Sequence, residues 1–134
     1  MIDTKSHAVV ATWPTAPATG PHGLVFDAAH GRIFVAGDNG QLVAIDTQTG
    51  KVVARAAITE HVDQIAFDAA LRRIYCAGPD WMSVVQATDA GLAPLGKIPT
   101  AATAKNVAVD PKSHAVWTTF TDGKDSFAKS WTQP

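Results

Sequence analysis

The chain has 134 residues, of which 46% are hydrophobic, and its 11 Lys and Arg against 12 Asp and Glu leave a net charge of −1. That is apolar material for one ordinary domain rather than a disordered chain, and the 17% of charged residues falls below the roughly 25% of average soluble proteins. Balanced charge excludes the basic footprint of a nucleic-acid or anionic-membrane binder, and no run of about eighteen apolar residues reads as a membrane span.

The first residues, MIDTKSHAVVATW, lack the continuous apolar core of a secretory signal, so the chain as written is expected in the cytoplasm. They carry a repeat. Ile2-Asp3-Thr4 matches Ile45-Asp46-Thr47, and Val9-Val10-Ala11 matches Val52-Val53-Ala54, at an offset of 43 residues. Residues 1–14 are therefore expected to be the fourth strand of a repeat whose first three strands lie elsewhere.

After a turn-rich linker, residues 21–58 read as four short strands joined by tight turns. Leu24 to Phe26 ends at Asp27, Arg32 to Ala36 is the second strand, and Asp38-Asn39-Gly40 closes a hairpin, Asn-Gly being suited to the positive φ of a type I′ turn. Leu42 to Ile45 and Val52 to Ile58 complete the unit. Residues 60–99 repeat it at an offset of 41, with Gly78-Pro79-Asp80-Trp81 as a longer second turn. Residues 104–134 repeat it again, with strands expected at Lys105 to Asp110, Ala115 to Phe120 and Ser126 to Trp131, and lack a fourth strand of their own.

Four antiparallel strands in about forty residues make one blade of a β-propeller, so the fold class is all-β, with three four-stranded blade equivalents per chain and circularly permuted closure. Phe34, Tyr75 and Trp117 hold one register in the second strands, as expected of blade-to-blade core. Propellers close with about four to eight blades, which three cannot do alone. Two copies would give a six-bladed ring. A homodimer is expected in which Val9, Val10, Ala11 and Trp13 of one copy pair with the edge strand from Phe127 to Trp131 of the other. The alternative is an excerpt of a longer, seven-bladed propeller; the initial Met and the repeat arithmetic favour a complete unit.

The wording of the repeats also resembles a known family. Pro21-His22-Gly23-Leu24, Asp46-Thr47-Gln48-Thr49-Gly50-Lys51-Val52-Val53-Ala54, Val62-Asp63-Gln64-Ile65-Ala66-Phe67-Asp68 and Val107-Ala108-Val109-Asp110-Pro111 are similar to the bacterial YncE-like, or YVTN, β-propellers. The resemblance implies a propeller without a shared catalytic residue set. Members are usually seven-bladed single chains and often exported, from which this sequence departs.

Loops entering the innermost strands and joining second to third strands would surround a channel mouth. They place His22, His61, Asp63, Trp81, Lys105 and Asn106 there as a candidate ligand site. His61 and Asp63, one residue apart, would share a face in extended chain and read as a hydrogen-bonded pair, too few groups for a metal signature. Trp81 reads equally as a binding anchor or as packing between blades. The Asp ending each innermost strand (Asp27, Asp68, Asp110) reads as a turn cap, and His7, His30 and His114 as solvated surface. The single Cys76 reads as a small buried hydrophobe.

No nucleophile elbow, phosphate-binding loop or zinc motif occurs, so no catalytic residue, metal or cofactor is expected. The leading expectation is a non-catalytic binding or scaffold protein that takes a small molecule or a protein at the channel mouth, with neither nucleic acid nor membrane as partner. The competing one is a metal-dependent hydrolase of the lactonase type, with Asp63 and Asn106 as oxygen ligands, though such a set is thin against the six to eight oxygens typical of calcium.

Overall fold

The computed structural model describes residues 1–132, in three antiparallel sheets. The first runs β1 (Pro21–Asp27), β2 (Arg32–Gly37), β3 (Gln41–Asp46) and β4 (Val52–Ala57) in spatial order. The second repeats this with β5 (Gln64–Asp68), β6 (Arg73–Ala77), β7 (Trp81–Thr88) and β8 (Gly91–Pro99). The third has β9 (Ala108–Val109), β10 (Val116–Asp122) and β11 (Asp125–Trp131). Each connection within a sheet is too short for anything but an antiparallel neighbour, so every sheet is a meander. The third blade was expected to run to residue 134; its last two residues, 133 and 134, lie outside the described residues.

The three sheets pack face to face. Innermost strands β1, β5 and β9 touch in series, and the outer strands β4 and β8 meet at the rim. Gly23 permits the closest of these approaches, because a Cβ there would come within 2.9 Å of Ile65 Cγ2 and 3.0 Å of the Ile65 amide nitrogen. Between blades 1 and 2, Phe34, Leu42 and Ala44 interlock with Val62, Ile74, Cys76 and Val85. The Phe34 and Phe67 rings lie 5.4 Å apart there, tilted as aromatic quadrupoles favour. Tyr75 and Met82 pack on Val116 between blades 2 and 3.

Alternation along the strands then explains which large apolar groups stay exposed. Phe34 and Tyr75 face the following blade and are 2% and 1% exposed, while Trp117, in the same repeat position, is 45% exposed because the chain supplies no blade beyond it. At the other end Leu24 and Phe26 are 62% and 56% exposed. Their counterparts Ile65 and Phe67 are packed into the core between blades 1 and 2.

The third innermost strand is shorter than the sequence suggests. Only Ala108 and Val109 pair with β10. Upstream, side chains replace backbone rungs: Thr103 Oγ1 donates to the Thr121 carbonyl and accepts from the Thr121 amide, both at 2.9 Å, and Asn106 Nδ2 donates to Thr119 Oγ1 at 3.1 Å.

The N-terminal arm also differs from expectation. It is not a lone fourth strand but the end of a third strand, a turn and a fourth strand. Ile2 pairs with Val9 as Ile45 pairs with Val52. Asp3 Oδ1 accepts from the Lys5 and Ser6 amides at 3.0 and 2.7 Å, as Asp46 Oδ1 accepts from Gln48 and Thr49 at 3.1 and 2.9 Å. Val10 and Ala11 donate to the Met1 carbonyl at 3.0 and 3.4 Å, so the edge expected to be open is occupied there by the chain itself. Further along the arm, Trp13 and Ala18 cover Val35, Val43 and Ile45 on the free side of blade 1. Ala56, at Trp13's repeat position, is buried in the next interface in the same way.

Candidate functional site

The loops β2–β3, β4–β5, β6–β7 and β8–β9 lie at one end of the sheets, as antiparallel alternation requires, and of the expected side chains they bring Asp63 and Lys105 into contact with each other. His22 lies on β1 and is exposed. His61 Nδ1 sits 3.1 Å from Asp38 Oδ1, and Lys105 Nζ 3.2 Å from Asp63 Oδ2. The pairing of His61 with Asp63 does not form. His61 has a φ of 56°, so the extended geometry that would place both side chains on one face is lost and its ring turns to the preceding blade. Each charged group thus bridges consecutive blades: Asp38 to the β4–β5 linker, Asp63 to the β8–β9 linker.

Trp81 opens β7 opposite Pro99 rather than lying in a loop, and it is 45% exposed. Asp80, just before it, takes a φ of 63° and makes the sharp turn that the Asn-Gly of blade 1 makes at Gly40. Asn106 lines a shallow hollow with Phe120 and Phe127, whose rings stack 5.4 Å apart. Of the two candidate oxygen ligands, Asp63 is paired through Oδ2 with Lys105, whereas the bond from Asn106 to Thr119 uses Nδ2 and not the amide oxygen. Among the described residues no three His, Cys, Asp or Glu side chains gather where they could hold a metal ion.

The opposite end holds what the sequence reading missed. Asp27 and Asp68 do cap their turns, each Oδ1 accepting two backbone amides at 3.1 to 3.2 Å. Their second oxygens hold histidines: His30 Nδ1 lies 2.8 Å from Asp27 Oδ2, and His114 Nδ1 2.7 Å from Asp68 Oδ2. These two histidines are bonded to buried carboxylates rather than simply solvated, and His114 ties blade 3 to blade 2. Sequence signal existed only in the repeat, since His114 and Arg72 stand where blade 1 has Gly31. Serine hydroxyl and backbone amide hydrogen bonds hold the Asp110 carboxyl below its ordinary range, and hydrogen bonding and charge from Arg72 do so for Asp89. Burial pushes the Cys76 thiol well up, which keeps it protonated and unreactive.

No protein-family model and no curated protein matches the chain. Solved structures do. The dihydro-heme d1 dehydrogenase NirN superposes with a TM-score of 0.72 at 20% identity, covering 98% of this chain and 32% of that one. A chain of the mitotic checkpoint complex gives 0.72 at 18% identity, covering 84% and 36%. The Swd1 β-propeller domain of Myceliophteria thermophila gives 0.66 at 14%, covering 84% and 37%. The chain thus spans about a third of the length of the structures it matches. Likeness at this level of identity defines the fold and nothing finer: residues 1–132 form three blades of the β-propeller type.

Proposed function

We propose that this chain is a non-catalytic binding or scaffold module of the YncE-like type, closed into a six-bladed ring by a second copy of itself. The observation that carries the reading is the match between the two ends of the stack. Trp117 stands where Phe34 and Tyr75 are buried against a following blade, and Leu24 and Phe26 stand where Ile65 and Phe67 are buried against a preceding one. Seating Trp117 of one copy on Phe26 of another would repeat the contact between Phe34 and Phe67, and two-fold symmetry would satisfy both ends at once.

In the same register Phe127 to Trp131 would run beside Val9, Val10, Ala11 and Trp13. Trp131, opposite Val116, shares a repeat position with Ile2, so Met1 and Ile2 must give up their rungs to it. In the ring His22, His61, Asp63, Trp81, Lys105 and Asn106 would each appear twice around one channel mouth, available to a small-molecule or protein ligand. The pairing of Asp63 with Lys105 favours binding over metal-assisted hydrolysis.

The test is the pair Trp117→Ser and Phe26→Ser, measured by sedimentation equilibrium. Both residues are exposed in the single chain, so each variant keeps the wild-type circular dichroism while its dimer dissociation constant rises by about tenfold or more, the loss of one aromatic anchor. Unchanged self-association in both variants overturns the reading.

A further inference from the structure

At the end opposite the channel-mouth loops, blades 1 and 2 part to leave a cleft of about 290 Å³, floored by Phe34, Ala54 and Leu92 and rimmed by His30, Arg72 and Asp89. The next junction shows why this one stays open. There His114 reaches back from the turn of blade 3 and bonds the buried Asp68 carboxylate of blade 2. Arg72 holds the same repeat position with nearly the same φ, 53° against 59°. Its counterpart carboxylate, Asp27, is already taken by His30 of its own turn. Arg72 turns outward instead, and Nη1 donates to Asp89 Oδ1 at 2.9 Å, where the Asp89 side chain is 90% exposed.

That arrangement leaves Arg72 Nε buried with no acceptor. A buried guanidinium donor without a partner is a standing cost, and it is relieved only when Arg72 turns from Asp89 into the cleft, where Nε can meet an acceptor. Asp89 is a weak competitor, because an exposed ion pair contributes little. The floor is wholly apolar. Asp27, Asp89 and Arg32 also line the cleft, so its charge is near balance, and the apolar floor favours an anion carrying a hydrocarbon chain over bare phosphate.

We propose that this cleft binds a small monocarboxylate carrying a short hydrocarbon chain, the carboxylate held by the Arg72 fork beside His30 and the chain lying along Phe34, Ala54 and Leu92. Arg presents two parallel donors to a carboxylate, a geometry Lys cannot reproduce. Both walls belong to one chain, so the site is independent of ring closure.

The test is titration of the full chain with acetate, butyrate, hexanoate and inorganic phosphate, followed through the amide resonances of Gly31, Ala90 and Gly91. Saturable shifts are expected for the carboxylates, tighter from acetate to hexanoate, with phosphate weaker than hexanoate. Arg72→Gly, which places at this left-handed position the residue blade 1 carries there, and Arg72→Lys should each weaken hexanoate by about tenfold or more, the loss of a charge-assisted bidentate contact. Asp89→Asn should strengthen it. Absence of saturable shifts, equal binding by Arg72→Lys, or phosphate binding as tightly as hexanoate overturns the proposal.

Discussion

Asp68 shows how much one carboxylate can hold in a small sheet. Its Oδ1 accepts the Ala70 and Leu71 amides that would otherwise be unpaired in a tight turn, and its Oδ2 takes His114 from the next blade. At 2% exposure it has no water to fall back on, so truncation leaves those donors unsatisfied. Asp68→Ala is expected to cost about 2 to 3 kcal/mol in urea unfolding, the range for hydrogen bonds to a charged group. Asp110 occupies the same repeat position but is more exposed and engages only its own turn, so Asp110→Ala should cost clearly less. Equal losses would mean that the link between blades contributes nothing. The turn-capping role of these aspartates is legible in the sequence because it is local: side chain and amide lie two or three residues apart. The histidine partner of Asp68 lies 46 residues away and follows from blade packing, which no local pattern encodes.

At the scale of the element, strand order and hairpin placement follow from the turns, and the structure reproduces them to within a few residues. Two departures have local causes. His61 adopts a left-handed backbone and so loses its expected neighbour, and Thr103 and Asn106 substitute side-chain bonds for the first rungs of β9. The arm is the element with the most at stake, since it holds only the end of a repeat and its docking depends on Trp13 against the β3–β4 turn. Gly50 in that turn has a φ of 67°, and a methyl group there would overlap the Trp13 ring. Gly50→Ala is expected to release the arm at a cost of about 1 to 2 kcal/mol from the left-handed backbone alone. Tryptic cleavage after Lys5 should then quicken while cleavage after Arg73, within β6, stays slow. Unchanged cleavage at Lys5 would show that the arm is held by something other than this contact.

For the whole molecule, the repeat count and the surface tell the same story from different sides. Three blades bury two mutual interfaces and leave two unlike apolar ends, one carrying Trp117 and the other Leu24 and Phe26. Counting strands in the sequence foretells that closure needs further blades; it does not foretell that the arm would pair with its own first residues, because that competition depends on which rungs are within reach in three dimensions. In the proposed ring a second copy would occupy both ends, and burial of aromatic area would drive the association. The most direct measurement is the molar mass of the full chain in solution by sedimentation equilibrium across a range of concentrations. Ring closure predicts a concentration-dependent approach to twice the 14.0 kDa of one chain, with no larger species. A well-folded species that stays at the mass of one chain throughout, or an open-ended series of ever larger assemblies, would contradict it.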